Sequence, residues 1–284
     1  MSLTVGLFNS GIFKGEIFNG GIFRTSSTVS IVSLLFGSGE RGLIYDISDF
    51  STLYQDSAGT TPVTAVSQPV GKILDISGNN NHAYQSTASS RPILLQDAGG
   101  HYYLELDGVN DFLVTNNIDF TSTDKISVFT GIRKLSDSSQ GAIIELTNNP
   151  SVKNTGTFYI NSSGLAGENY EVYMRGNGVR SYYRPVTYTA PITNTVSALF
   201  NNSGVDWAIG NKPYVNAVLD QDGGASNVMT ASTFSNAPIY IGRRGGATNP
   251  FNGRIYSMIV RGAQSSEYEL AFSEAYVNSK TGAY

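Results

Sequence analysis

The segment from Pro238 to Tyr276 constrains the fold most, because three local signals follow one another there without interruption. A short apolar run rich in β-branched residues, Ile239–Gly242, predicts a strand. A glycine-rich loop then breaks the pattern, and a second run, Arg254–Val260, predicts another strand. Two strands joined by a loop are the simplest account of these two runs.

The second of these strands is apolar on both faces. Side chains alternate along a strand with a period of two. This period places Tyr256, Met258 and Val260 on one face and Ile255 and Ile259 on the other. We therefore expect both faces to be covered, as in a strand inside a two-layer structure.

A helix is predicted to follow the second strand. Ser266 and Glu269 have the spacing of a capping box, in which the hydroxyl and the carboxylate satisfy free N–H groups of the first turn. Tyr268, Phe272 and Tyr276 then recur at every fourth residue. This spacing predicts an apolar stripe that packs on the rest of the protein.

This ending resembles that of the laminin-G-like, concanavalin-type jelly rolls. Other stretches that fit the same resemblance are Asp75-x-Ser77-Gly78 with Asn81-His82-Ala83, Tyr103–Phe112, and the strand Ile126–Arg133. The resemblance implies an all-β, two-sheet jelly-roll sandwich with a short C-terminal helix over residues 41–284. Residues 1–40 would form a small β-rich N-terminal anchor and a connector that carries one strand.

The composition agrees with an all-β class. The chain has 284 residues with 31 glycines, 17 tyrosines, 14 phenylalanines and 14% charged residues, which indicates many turns and aromatic-rich strands. A short helix is expected within Ser48–Gln55. Further strands are predicted at Tyr102–Leu106, Ala142–Leu146, Thr157–Asn161, Tyr170–Arg175, Val196–Phe200, Val205–Ile209 and Pro213–Val218.

Charge and hydropathy exclude several partners. The formal net charge of −4 provides no basic field for nucleic acid. No apolar stretch approaches the roughly 20 residues that a membrane helix needs, so membrane insertion is not expected. The chain has no cysteine, so neither disulfides nor thiolate metal sites are available.

Residues 6–25 form four pentads with phenylalanine in the third position and leucine or isoleucine in the second. They resemble the pentapeptide repeats that wind as a square β-helix, and four pentads would make about one coil. One coil cannot bury its own apolar side chains. We therefore expect an assembly anchor that stacks on other subunits or on a partner; a loosely ordered leader is the alternative. The anchor residues are Phe8, Phe13, Phe18, Phe23, Ile12, Ile17 and Ile22.

Two Asp-rich segments have both a structural and a metal-binding interpretation. Asp75 and Asn79 lie in a predicted tight loop, where Asp and Asn side chains bond to backbone groups. Asp107 and Asp111 lie in the second segment. Carboxylate and amide oxygens are also the ligands of calcium. Calcium at these four residues is the competing prediction, and no other cofactor is expected.

The candidate catalytic residues do not form a complete set. Glu105 and Asp107 share one strand face, as in some jelly-roll glycosidases that carry Glu-x-Asp-x-x-Glu, but Asn110 occupies the third position. A retaining glycosidase needs a second carboxyl group as proton donor. His82 and His101 fit no recognisable motif. The prediction is therefore that the protein is not an enzyme.

Aromatic and basic side chains provide candidates for carbohydrate binding, because flat rings stack on sugars and fixed polar groups bind hydroxyls. The candidates are Tyr182, Tyr183, Arg243, Arg244 and Phe251, with Trp207 as a further aromatic. The alternative is that Trp207 packs in the core and that the tyrosines pair across strands.

The pentad leader and the stretch from Tyr45 to Gly100 resemble bacteriophage virion proteins that carry a laminin-G-like or lectin-like domain. This resemblance implies a virion protein assembled in the host cytoplasm, bound to other virion proteins through its N-terminal segment. A tail-fibre or receptor-binding appendage that contacts host-surface glycan is the first hypothesis. A capsid decoration or head-fibre protein is the second, and a glycan-cleaving enzyme the third. We expect a homo-oligomer, with a trimer favoured because virion fibres are commonly threefold.

Overall fold

The computed structural model describes residues 29–149, 155–162, 170–177, 187–204, 210–220 and 231–284, and the backbone of residues 180–183. Within these residues the helices are α1, Ile31–Phe36, and α2, Glu267–Thr281. In chain order, the strands β1 to β21 are Gly42–Asp46, Leu53–Tyr54, Lys72–Ile73, Ala83–Tyr84, Ile93–Gln96, Tyr102–Asp107, Leu113–Thr115, Ile118–Asp119, Lys125–Lys134, Ala142–Leu146, Thr157–Asn161, Glu171–Arg175, Arg180–Tyr183, Ile192–Asn201, Asn211–Val215, Val218–Leu219, Asn236–Ala237, Ile239–Ile241, Arg243–Arg244, Thr248–Pro250 and Asn252–Arg261.

The fold is the predicted two-sheet jelly-roll sandwich. Within the described residues, eight strands form one sheet in the order β16-β15-β14-β9-β21-β6-β5, with β1 also paired to β21. The other sheet has nine strands in the order β13-β12-β11-β10-β18-β7-β4-β3-β2. All the pairings within these two sheets are antiparallel.

The main core lies between the two sheets, where alternate residues of both meet. Val128 and Val260 from the eight-stranded sheet join Phe158 and Ile241 from the nine-stranded sheet in one buried cluster. The outer face of the eight-stranded sheet is covered by α1 and α2, which bury Phe129 and other residues of that face. The helices therefore lie on the eight-stranded sheet, and the outer face of the nine-stranded sheet has no helix on it among the described residues.

The predicted alternation in β21 is only partly correct. Both faces are buried, as expected, but the register shifts between Ile255 and Ser257. This bulge puts Ile255 in the main core with Met258 and Val260. Tyr256 packs instead against Tyr103, with ring centroids 5.3 Å apart. One extra residue in the strand changes which face each side chain occupies.

Helix α2 begins at the predicted capping box, but its buried face differs from the predicted stripe. Tyr268 is 61% exposed, and the buried residues are Ser273, Glu274, Val277 and Thr281. The reason is the close approach of the helix to β9, where a Cβ on Gly131 would come within 1.9 Å of the Thr281 Oγ1 atom. A small side chain is needed at that contact. Of the predicted stripe, Phe272 and Tyr276 are partly buried and pack against the same cluster as Val277.

The connector was predicted to carry one strand, but residues 31–36 form helix α1. Ser30 caps the helix by accepting from the Ser33 N–H at 3.0 Å, and Ile31, Leu35 and Phe36 are buried. β-branched residues favour strands only weakly, and packing near α2 overrides that preference.

One further sequence prediction differs from the structure in detail, and others fall on residues outside the described ranges. The helix expected within Ser48–Gln55 is a single 3-10 turn, Phe50–Thr52, capped by Asp49. The seven anchor residues, Trp207 and the predicted strand Val205–Ile209 lie outside the described residues. The described helices contain no segment long and apolar enough to span a membrane.

Candidate functional site

A row of side chains crosses the outer face of the nine-stranded sheet, one from each of eight strands. We call it the tyrosine row. In register order it comprises Tyr54, Lys72, Tyr84, Val114, Tyr240, Glu145, Tyr159 and Tyr173. Their strand neighbours, such as Leu53, Ala83 and Ile241, lie in the core. The row therefore points away from the core, because successive side chains in a strand alternate between faces.

One half of the tyrosine row is accessible. Tyr54, Tyr84 and Tyr240 are half-buried, as are Lys72 and Val114 between them. These three tyrosines lie on alternate strands, so they are spaced about 10 Å apart at the usual strand separation. This half is a partly apolar strip with polar hydroxyl ends.

A hydrogen bond holds one of these tyrosines in place. The Tyr84 hydroxyl donates to Asn116 Oδ1 at 2.9 Å. This side chain is therefore positioned before any ligand arrives, which lowers the entropy cost of binding. Burial and the nearby Glu145 carboxylate raise the pKa of Tyr240, so its hydroxyl stays protonated as a donor.

The other half of the row is covered by the hairpin of β19 and β20. The Arg244 Nε donates to Glu145 Oε1 at 3.1 Å, and the Gly245 N–H donates to Glu145 Oε2 at 3.0 Å. The Arg244 guanidinium also lies 5.5 Å from the centre of the Tyr159 ring. Tyr159 stacks on Tyr173 with ring centroids 4.4 Å apart, and both rings are buried.

The structure brings together some of the predicted carbohydrate-binding residues. Arg244 lies on the row, and Tyr182 stands opposite Tyr173 in the register of β12 and β13, at the same end. Tyr183 stands opposite Val172, one position away from the row. Arg243 donates to the Ala247 carbonyl at 2.9 Å within the hairpin.

Phe251 corrects the prediction. Its side chain is fully buried in the main core, and a Cβ on Gly253 would come within 2.3 Å of its ring. The ring is not available to stack on a sugar. It lies at the start of β21, where the alternation turns it towards the core.

The Asp75 loop has the structural role proposed for it. Asp75 accepts hydrogen bonds from the N–H groups of Ile44, Ser77 and Asn81 at 2.8–3.0 Å. The Asn79 amide nitrogen donates to the Glu40 carbonyl at 3.0 Å.

The carboxylates of the second Asp-rich segment also accept hydrogen bonds from nearby backbone N–H groups. Asp107 accepts from the N–H groups of Val109 and Asn110, and Asp111 accepts from the Asp107 N–H. In the parts of the chain that the structure describes, no three His, Asp or Glu side chains are grouped so as to hold a metal ion. Calcium at these residues stays a prediction.

The carboxylates considered for catalysis are engaged in other interactions. Glu105 forms an ion pair with Arg254 at 3.4 Å, and Arg254 lies over the Tyr103 ring at 4.3 Å. Asp107 accepts from backbone N–H groups of its own turn. Asp111, a metal candidate and not a catalytic one, is buried, and burial followed by the charge of Asp107 raises its pKa to about 6. Among the two histidines, His82 accepts from the Asp75 N–H at 3.0 Å and His101 contacts Asp97 at 3.3 Å.

The sequence interpretation missed Tyr54, Tyr84 and Tyr240. Strands β2 and β4 have two residues each, too short for alternation to be visible. Only Tyr240 had a usable signal, because it lies between Ile239 and Ile241 in a predicted strand. Their assembly into one row depends on pairing between segments far apart in the chain.

Comparison with known proteins adds information about the fold. No protein-family model matches the chain, and no curated protein matches it. The chain is similar to the binding domain of Paraclostridial Mosquitocidal Protein 1, with a TM-score of 0.53 and 15% identity over 75% of this chain and 51% of that chain.

Two botulinum neurotoxin domains are also similar. One is the serotype D ligand binding domain in complex with N-acetylneuraminic acid, with a TM-score of 0.54 and 14% identity over 87% of this chain and 53% of that chain. The other is the binding domain of serotype DC in complex with SialylT, with a TM-score of 0.52 and 10% identity over 87% and 52%. The chain thus spans about half the length of these structures. At such identities the likeness shows a shared β-sandwich fold.

Proposed function

We propose that this chain is a non-enzymatic structural protein of a bacteriophage virion, and that its jelly roll binds host-surface glycan through the tyrosine row. The observation that carries the binding function is the accessible strip of Tyr54, Tyr84 and Tyr240 on the one sheet face that no described helix covers. The phage origin is supported by the pentad leader and by the resemblance of residues 45–100 to virion modules.

The strip suits an extended glycan better than a compact ligand. The apolar face of a sugar ring stacks on an aromatic ring, while hydroxyl groups at the ring edge bond to polar side chains. Three tyrosines about 10 Å apart contact successive parts of a chain of several sugar units. Lys72 lies between Tyr54 and Tyr84 and supplies donors to hydroxyl or carboxylate groups.

The similar structures support binding rather than catalysis. All three are named as binding domains, and one is in complex with N-acetylneuraminic acid, which is a sugar. Of the two carboxylates considered for catalysis, Glu105 forms an ion pair with Arg254, and Asp107 accepts hydrogen bonds from backbone N–H groups of its own turn. We therefore assign the jelly roll a recognition role without turnover.

In this proposal the protein is a tail-fibre or receptor-binding appendage, and residues 1–25 attach it to other virion proteins. The same segment stacks on its counterparts in a homotrimer, since a single pentad coil cannot bury its apolar residues. A capsid decoration protein is the competing position on the particle, and it would use the same anchor.

The proposal is tested with an array of purified bacterial capsular polysaccharides, O-antigens and teichoic acids. We expect saturable binding to at least one polymer and no release of shorter fragments from it. Absence of binding across the whole array would refute the recognition role, and fragment release would refute the non-enzymatic assignment.

A further inference from the structure

A small polar cavity lies apart from the tyrosine row. Its volume is about 250 Å³. One wall is formed by Asn79 and Asn81 of the Asp75 loop, and the opposite wall by Asn117, Asp119 and Asn236 near the paired strands β8 and β17. Arg41 and Ile118 complete the lining. We call it the rim pocket.

The rim pocket is built before any ligand arrives. The Asn81 amide nitrogen donates to the Gly42 carbonyl at 2.7 Å, and the Asn79 amide nitrogen donates to the same carbonyl at 3.2 Å. Gly42 has φ +139°, and a Cβ there would lie 1.9 Å from the Val260 carbonyl oxygen, so this wall requires glycine. A preorganised wall reduces the entropy lost on binding.

The pocket offers donors and acceptors in the mixture that hydroxyl groups need. The amide nitrogens of Asn79 and Asn81 are engaged, which leaves their oxygens as acceptors. Asn117 and Asn236 are exposed, and each amide provides both a donor and an acceptor. Asp119 accepts from the Thr121 N–H and hydroxyl through Oδ1, and these bonds together with the charge of Arg41 lower its pKa, so the carboxylate is a charged acceptor.

Charge and size narrow the ligand class. Arg41 and Asp119 contribute opposite charges, so the pocket has no net attraction for an anion. Ile118 provides an apolar surface in the lining, which suits the C–H face of a sugar ring. The volume is below the range of about 300–1,000 Å³ typical of drug-sized ligands, which favours a ligand of a single ring.

We propose that the rim pocket binds one uncharged sugar ring. The pocket is linked to the tyrosine row along the chain, because Asn117 in its lining follows Asn116, the residue that accepts from the Tyr84 hydroxyl. The ring is then the terminal or branch unit of the glycan that lies on the row. The placement of the ring as a unit of that glycan rests on the proposed function, whereas the binding of a sugar ring in the pocket does not.

The test uses the full chain and small probes measured by saturation-transfer NMR. The neutral probes are the methyl glycosides of glucose, galactose and mannose, and the charged probes are N-acetylneuraminic acid and inorganic phosphate. We expect binding of at least one neutral glycoside. The Asn117→Ala/Asn236→Ala double variant removes two exposed amides and should weaken that binding about tenfold. Tyr268→Ala, which removes an exposed tyrosine from α2, should leave it unchanged.

Several outcomes overturn the proposal. One is no saturation transfer from any neutral glycoside, another is unchanged binding in the double variant, and a third is stronger binding of a charged probe. If the protein binds polysaccharide but no neutral glycoside, the proposal for the rim pocket is refuted and the proposed function is not. If the protein binds a neutral glycoside but no polysaccharide of the array, the sugar site in the rim pocket is supported and the proposed function is refuted.

Discussion

At the scale of single residues, the buried carboxylate of Asp75 shows how one side chain fixes a loop. It joins β1, through the Ile44 N–H, to the two ends of its own loop, through Ser77 and Asn81. Residue types predicted this role correctly, because Asp bonds readily to nearby backbone N–H groups. They could not identify the partner on β1, which lies 31 residues away.

Asp75→Ala should destabilise the protein by about 2–4 kcal/mol, because two buried N–H groups and one part-buried N–H group lose their acceptor. Asp49→Ala is the matched control, since Asp49 accepts from the Ser51 N–H in an exposed turn and should cost about 1 kcal/mol or less. Urea unfolding of the two variants measures the difference. Equal losses would show that the Asp75 bonds do not hold the loop.

Asp111 makes stability depend on pH in a defined direction. Burial raises its folded pKa to about 6, above the value of about 3.9 expected in an unfolded chain. The folded state therefore binds this proton more tightly, so the group's contribution is present below about pH 4 and is lost as the pH rises through 6. The asparagine side chain in Asp111→Asn is neutral at every pH, so its contribution to stability does not change with pH.

The stability of Asp111→Asn relative to the natural sequence should therefore be greater at pH 7 than at pH 4. Asp46, Asp97 and Glu40, whose pKa values are lowered, titrate alike in both proteins and cancel in the comparison. Urea unfolding at the two pH values gives the difference. A constant difference between variant and natural sequence would contradict the assignment.

At the scale of elements, several longer strands were predicted well, whereas short strands such as β3 and β4 were not predicted. β10 and β11 have the bounds predicted from their apolar runs. The predicted faces of β21 and α2 were only partly correct, because a bulge and a close helix–sheet contact at Gly131 decide them. Neither feature has a local sequence signal. The tyrosine row was missed for a related reason, since it exists only once distant strands pair.

Val277→Ala and Tyr268→Ala test which face of α2 is buried. Val277 is fully buried beside Phe129 and Leu199, so its truncation should cost about 2 kcal/mol. Tyr268 is 61% exposed, and its truncation should change stability by less than about 0.5 kcal/mol. Thermal or urea unfolding ranks the pair. The reverse ranking would restore the aromatic stripe as the packing face.

At the scale of the whole molecule, the two sheets have different surroundings. The eight-stranded sheet has α1 and α2 on its outer face. The nine-stranded sheet has the tyrosine row on its outer face. In the proposed virion protein, this leaves one broad surface for recognition. In the same proposal, the N-terminal segment performs the separate task of attachment.

Deletion of residues 1–25 should separate the two tasks. We expect a folded jelly roll that keeps its affinity for polysaccharide but is absent from purified particles. Electron microscopy of particles made with a C-terminally tagged protein gives the position of the intact chain. Normal incorporation of the truncated protein would contradict the anchor. Labelling over the head would make it a decoration protein, and labelling at the tail would support an appendage.

The most direct test of the central claim is a calorimetric titration with the polysaccharide that binds best on the array. Tyr84→Ala/Tyr240→Ala removes two rings of the accessible strip and should weaken binding at least tenfold, because stacking surface is lost at both positions. Tyr268→Ala removes an exposed tyrosine from α2 and should bind as the natural sequence does. If the double variant binds with unchanged affinity, or if both variants lose affinity equally, the tyrosine row is not the recognition surface.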